Sequence, residues 1–503
     1  MIRHLFIRRL ISLITVLVFT FVFLSACAGE TDRNTDNQKA ESSNSLFDNK
    51  RSEDDSPSDK DKAESGNGLT IENSDFSEVD TDENGNNPDK NEAAVSLAEG
   101  SGSKKDKDEN KNQEDNKTDI TDDTNVESDK NINDRVIEHI DDDVEGLTGA
   151  LAFVRRLRLG WNLGNTMDAT NNSSGGANLK LESSWCGVKT TPEMIDTLKE
   201  AGIKSIRVPV SWHNHVDKDY NIDEAWLARV KEIVDYIIDR DMYCIINIHH
   251  DNSKEFVYPT SEYLDQSKKY VGRIWEQVGK KFRDYDDHLI FESLNEPRLV
   301  GTTNEWYLSN NEICKDAVRC INELNQLFVD TIRMQGGNNS ERYLLVPGYA
   351  AQWGAATDDA FVIPNDTAEN KILIEVHAYS PENFALTAPT ESSSTDVFDE
   401  TSGKSIAGIN SMVTKLKSVF IDKGIGVVID EFGSRDKDGN TDARVNHAAF
   451  YVKKAREYGI TCFWWDNNIF SGSGERFGIF DRKSNTVRKP EIMQALVDNC
   501  GNR

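Results

Sequence analysis

Between residues 28 and 133 the chain has no Trp, no Tyr and no Cys, and its only aromatics are Phe47 and Phe76. Positive charge is scarce there too, with 30 Asp and Glu against 13 Lys and Arg. A segment so poor in apolar side chains cannot offset the conformational entropy lost on ordering. Residues 27–135 are therefore expected to be a disordered, self-repelling acidic linker. A calcium loop at Asp80-Thr-Asp82-Glu-Asn84-Gly85 is excluded, because Asn91 stands where a bidentate glutamate is needed and no amphipathic helix flanks it. The linker carries most of the net charge of −29, so that charge says little about a substrate, and no nucleic-acid partner is expected.

Ahead of the linker, Arg3, Arg8 and Arg9 precede a charge-free run from Leu10 to Leu24. This is a signal-peptide pattern over residues 1–26, slightly short for a spanning helix. It ends in Leu24-Ser25-Ala26-Cys27, which resembles the lipobox of bacterial lipoproteins. The resemblance implies a lipid-bearing Cys27 on an extracellular, cell-surface protein of a bacterium, attached to the membrane by its N-terminus. The alternatives are an uncleaved anchor helix and an ordinary signal peptide with an incidental cysteine.

From about residue 136 to 503 the composition is globular. Its six cysteines show no zinc-like spacing, and none is an obvious nucleophile. Cys314 and Cys320 are expected on one helix, about 9 Å apart in rise and too far apart for a bridge. Cys244 and Cys462 read as small buried hydrophobes. Eight strand-like runs stand out, at 157–162, 204–208, 243–249, 289–295, 343–347, 372–377, 426–431 and 461–465. Amphipathic stretches lie between most of them, among them one opening at Thr191-Pro192 with Thr191 as cap and one over 223–240. Strand, helix, strand repeated eight times predicts an α/β fold, a (β/α)8 TIM barrel.

The strand ends carry the chemistry. Leu289 to Arg298 reads L-I-F-E-S-L-N-E-P-R, a buried run stopped by Pro297, which lacks the N–H that a ladder needs. It leaves Asn295 and Glu296 at the carboxyl end of a strand, where α/β barrels place their active sites. Gly426 to Gly433 ends in the same way at Glu431. Other runs end in Trp161-Asn162, Arg207, His249-His250, Tyr349, His377-Ala-Tyr379 and Trp464-Trp465. Two carboxylates facing across one mouth are the minimum for breaking a glycosidic bond. Glu296 suits the acid/base role, its proton affinity raised by the second carboxylate, and Glu431, held ionised by Arg207, suits the nucleophile.

These motifs resemble glycoside hydrolase family 5 (cellulase family A), over about 157–489. They are G-W-N-L-G-N at 160–165, I-R-V-P at 206–209, I-H-H at 248–250, N-E-P at 295–297, H-A-Y at 377–379, E-F-G at 431–433 and W-W-D-N at 464–467. The context is most like subfamily 4, mostly endo-β-1,4-glucanases. The resemblance implies retaining hydrolysis of a β-glucan by Glu296 and Glu431, with Arg207, His249, His250, Asn295, His377, Tyr379 and Trp465 around the substrate. It implies no metal and no cofactor, and a monomer is expected. Cys186, after Trp185, departs from the family's usual Gly. Alternatives are a mannanase or xylanase of the same family, a non-catalytic carbohydrate-binding lipoprotein, and a metal hydrolase using His249, His250, Asp251 and His377.

Overall fold

The structure, a computed structural model, describes residues 146, 147, 149–171 and 179–501. The expected signal peptide, Cys27 and the acidic linker lie outside the described residues. Eight parallel strands close into a barrel in sequence order. They are β1 Leu159–Asn162, β2 Ser205–Val208, β3 Tyr243–Asn247, β4 Leu289–Glu292, β5 Leu344–Gln352, β6 Ile372–His377, β7 Gly426–Phe432 and β8 Thr461–Trp464, with β1 pairing both β2 and β8. The helices are α1 Gly149–Leu157, α2 Pro192–Glu200, α3 Glu224–Ile238, α4 Leu264–Lys281, α5 Glu312–Arg333, α6 Trp353–Ala356, α7 Glu382–Ala385, α8 Gly403–Val419, α9 Thr441–Glu457 and α10 Pro490–Asn499. A two-stranded ribbon, β9 Phe480–Asp481 with β10 Thr486–Val487, follows β8.

Two sequence expectations change here. Leu157 does not open the first strand. It ends α1, and Arg158 turns the chain in the left-handed region (φ 56°) before β1 begins. Thr191 does sit ahead of α2, with Pro192 in the first helical position, but its side chain makes no capping bond. Asp223 caps α3, accepting from the N–H groups of Ala225 and Trp226.

The two-residue period of the strands sorts side chains into inner and outer sets. Leu289 and Phe291 of β4, Ile372, Ile374 and Val376 of β6, and Val427 and Ile429 of β7 join the apolar layer under the helices. Ile290, Leu373 and Val428 face the axis instead, with Ile245, Leu345 and Phe463. Gly160 makes room for this filling, since a Cβ there would lie 2.0 Å from the Phe463 ring. Helix α1 closes the amino-terminal end. Phe153 stacks on Tyr343 at 3.5 Å between ring centroids and meets Tyr243 edge-on at 5.6 Å. That end of the barrel is apolar and filled, so the polar inner residues crowd toward the other.

The six cysteines of the barrel domain are all free thiols, five of them buried. Cys314 and Cys320 do share α5.

Candidate active site

Continuing the inward sequence two residues on from Ile290, Leu373 and Val428 gives Glu292, Glu375 and Asp430, and from Ser205 gives Arg207. All four are fully buried. Arg207 is the hub. Its Nε and Nη2 donate to the two oxygens of Glu292 at 2.6 and 2.7 Å. Nη1 donates to Asn162 Oδ1 at 3.0 Å and to Glu431 Oε1 at 2.7 Å. Nη2 also donates to Asn295 Oδ1 at 2.7 Å. The fork geometry of guanidinium lets one side chain fix groups from three other strands, β1, β4 and β7.

Glu431 therefore arrives pre-aimed. Its other oxygen accepts from the Tyr379 hydroxyl at 3.0 Å. Burial and then the Glu431 charge push the Tyr379 phenol well above its ordinary value, so it stays a donor. The ladder between β7 and β8 shifts register between Ile429 and Phe432. That irregularity lets the consecutive Asp430 and Glu431 both turn toward Arg207, at 3.6 and 2.7 Å.

Glu296 lies opposite. A ring nitrogen of His377 and one carboxylate oxygen each from Glu296 and Glu431 all fall within 4.8 Å of one another. Retention calls for carboxyls about 5–5.5 Å apart, inversion for about 6.5–9.5 Å. His377 Nδ1 is 2.9 Å from Glu296 Oε1. Burial by itself would lower the imidazole, but the Glu431 charge and the bond to Glu296 raise it to about 9. Burial works to raise Glu296, yet the His377 bond and charge, with Arg298, outweigh it and hold this carboxyl below its ordinary value. The sequence expectation that Glu296 would be raised, largely by the charge of Glu431, is thus corrected. An imidazole sits between the two carboxyls and takes up their shared field.

The remaining residues wall the cleft. Asn247 Nδ2 donates to His249 Nδ1 at 3.0 Å and to Glu292 at 2.7 Å. Burial first, then His250 and Arg207, keep His249 neutral, so Nε2 carries its proton. The Trp465 ring lies parallel to His249, 7° off and 5.9 Å away between centroids. Gly164 allows that placement, since a Cβ there would meet the indole at 2.8 Å. Asp466 anchors the W-W-D-N turn by accepting from Trp161 Nε1 and from the Ile479 and Phe480 N–H groups.

Arg207, His249, Asn295, Glu296, His377, Tyr379, Glu431 and Trp465 are thereby brought together. His250 stands at the edge of this group, its ring 4.4 Å from His249 between centroids. Its side chain is 39% exposed, 3.9 Å from Asp168, and beside Trp185 at the rim. Asp251 turns away, accepting from the N–H groups of Trp212 and His213 and pairing with the His213 ring, which breaks up the metal set of His249, His250, Asp251 and His377. Tyr349 supports the loop after β4, taking the Leu299 N–H and donating to Asn304 O. The Cys186 thiol stays inside its own turn, donating to Val188 O at 3.1 Å. Asn162, Asn247, Glu292, Glu375 and Asp430 were missed as site residues, although the inward alternation of their strands marks the last four.

Residues 167–471 match the family model described as "Cellulase (glycosyl hydrolase family 5)". Endoglucanase B of Ruminococcus albus is 41% identical over 353 residues, which are 70% of this chain and 80% of that protein. The Cellulase/esterase CelE of Acetivibrio thermocellus is 39% identical over 355 residues, 70% of this chain, but the chain spans only 40% of that protein's length. Among solved structures, a GH5 family lichenase from Caldicellulosiruptor sp. F32 is 52% identical with a TM-score of 0.69, covering 70% of this chain and 96% of its own. A "GH5-4 broad specificity endoglucanase" from Ruminococcus champanellensis with bound cellotriose is 42% identical with a TM-score of 0.65, covering 70% and 98%.

Proposed function

The chain belongs to glycoside hydrolase family 5, and we propose that it is an endo-acting β-1,4-glucanase in which Glu431 is the nucleophile and Glu296 the acid/base. The observation that carries this is the close approach of Glu296 and Glu431, one tied to His377 and the other to Arg207 and Tyr379.

In the first step Glu431 attacks the anomeric carbon while Glu296 passes a proton to the leaving oxygen. The negative charge on Glu431 disappears into the ester as the hydrogen-bonded pair of His377 and Glu296 gives up one proton and one positive charge. Arg207 and Tyr379 hold the nucleophile in line. Asn295, fixed by Arg207, hydrogen-bonds the sugar 2-hydroxyl, a contact that strengthens in the transition state. Trp465 offers an apolar floor to a sugar ring. In the second step Glu296, now a base, takes a proton from water, and water releases the sugar with its configuration retained. No step requires a cofactor.

The substrate class is a β-glucan: cellulose, mixed-linkage β-glucan or xyloglucan. The lichenase and the cellotriose-bound endoglucanase favour glucan over mannan or xylan. The lipobox-like Leu24-Ser25-Ala26-Cys27 supports export and a lipid anchor at the cell surface.

Azide rescue tests the two roles. In Glu431→Ala, azide replaces the nucleophile, and a glycosyl azide of inverted configuration is expected. In Glu296→Ala, an activated substrate still forms the glycosyl-enzyme, which azide turns over with retention. The opposite stereochemistry in the two variants would sink the assignment.

A further inference from the structure

Beneath the reacting carboxyls lie two acids that this chemistry leaves idle. Glu375 on β6 and Asp430 on β7 have side chains fully removed from solvent. Among the described residues no N–H or hydroxyl donor reaches any of their four carboxyl oxygens, and Asp430 meets the Glu292 carboxyl, to which it can donate only while it keeps its own proton. Arg207 gives them no hydrogen bond. Its donors are taken by Glu292, Asn162, Glu431 and Asn295, its Nη2 also stands 3.4 Å from His377 Nε2, and its Nε pairs with Asp430 only by charge, at 3.6 Å.

What these acids do face is the back of His377. Its Nδ1 is 2.9 Å from Glu296, while its Nε2 is 3.5 Å from Glu375 and 3.6 Å from Asp430. The imidazole thus spans from the acid/base carboxyl on one side to the buried pair on the other. The charged and titratable groups around it are Glu292 and Glu296 from β4 and its loop, Glu431 and Asp430 from β7, Glu375 from β6, Arg207 from β2 and His249 after β3. That is five carboxyls against the two cations Arg207 and His377. A dry interior does not hold unpaired anions, so the surplus is carried as protons. The acids without donors are the ones to keep them. Burial first, then the Glu292 charge, push both well above the ordinary carboxylate range.

We propose that Glu375 and Asp430 are positioning residues, a proton-holding pair behind His377 that decides whether the proton shared by His377 and Glu296 rests on the imidazole or on the carboxyl. This rests on the acid/base role given to Glu296. While the pair is neutral, the proton on Nδ1 can cross the 2.9 Å bond to Glu296 Oε1 and from there reach the leaving oxygen. His377 is left neutral with its Nε2–H toward the pair. The second step returns a proton from water through Glu296. When the pair loses a proton, an anion stands against Nε2. An ionised Asp430 raises the imidazole's proton affinity, the proton is drawn back to Nδ1, and Glu296 stays ionised, unable to act as an acid. The pair therefore sets the alkaline limit of the enzyme.

The test is the pH profile of kcat/KM on mixed-linkage β-glucan for the full chain and for Asp430→Asn and Glu375→Gln, which are isosteric and cannot ionise. The alkaline limb is expected to move up by about one pH unit in each variant, a displacement that one neighbouring charge commonly produces, while the acid limb stays. An unmoved limb, or a uniform loss of rate at every pH in a folded variant, would show that the pair does not act on the shared proton. A limb that moves down would show that the pair is anionic at working pH. Either result overturns the proposal. If one variant fails to fold, the other still decides, and so does the 15N chemical shift of the His377 imidazole in the unmodified chain. Two titration steps, one from the shared proton and one from the pair, are expected there, and a single step would overturn the coupling. Failure of the azide stereochemistry would strike the Glu296 assignment while leaving these limbs and titration steps as they are.

Discussion

One guanidinium holds the site together, and the two acids to which it gives no hydrogen bond weaken the fold. Glu375 and Asp430 keep their protons in the native state at a pH where the unfolded chain would lose them. Their native proton affinities are raised, so their favourable contribution is complete below the unfolded values near pH 4 and is lost as pH rises toward the folded ones. Asp430→Asn and Glu375→Gln remove that loss. Both should unfold at a higher temperature than the unmodified chain at pH 7, with the gap closing near pH 4. A tenfold difference in proton affinity between the folded and unfolded chain corresponds to about 1.4 kcal/mol. Thermal melts at the two pH values check this, and amide variants that melt lower at pH 7 would show that the carboxyls are ionised and paired.

At the scale of elements, the barrel is divided across its length. The amino-terminal half of the interior is apolar and sealed by α1, and the carboxyl-terminal half is charged. Phe153 is the centre of the seal, packed on Tyr343 and Tyr243. Phe153→Ala should cost about 3–5 kcal/mol, the usual range for a buried ring. It should lower the melting temperature while leaving the positions of Glu296 and Glu431 unaltered, so kcat measured well below the melting point should change little. A large loss of kcat at low temperature would mean that α1 does more than close the barrel.

For the whole molecule, the question is how the acidic segment and Cys27 serve a catalytic barrel. Each buried CH₂ of an acyl chain contributes about 0.8 kcal/mol, and stable anchoring takes more than one chain. On the lipoprotein reading, cells expressing the native chain should hold the activity in a membrane fraction that resists salt and yields to detergent. Cys27→Ala should release it to the medium. Deleting residues 28–133 should leave turnover of a soluble β-glucan nearly unchanged, because that stretch lacks an aromatic platform. Retention of the Cys27→Ala chain with residues 1–26 still attached would point to an uncleaved helix.

The order of strands and helices is readable in the sequence because the signals are local. Buried parallel strands are short apolar runs, helices repeat every three to four residues, and Pro297 stops its strand by lacking an N–H. The eight strands, the long helices and the two glutamates at strand ends follow from that. The closing elements are less visible: Leu157, the last residue of α1, reads as the start of the first strand, and α10 and the β9–β10 ribbon carry weak patterns. Partnership is not readable at all. His249 and His250 are adjacent in sequence and their rings touch at 4.4 Å between centroids, yet one is buried in the cleft wall and the other is exposed at its rim, a difference that local sequence does not carry. Glu431 sits 135 residues from Glu296, and only barrel closure puts an imidazole between them. That closure reverses the expected electrostatics at Glu296. It also makes a buried proton store of Glu375 and Asp430, since whether a carboxyl keeps its proton depends on which donors reach it and how much water is excluded, and both are properties of the packed barrel alone.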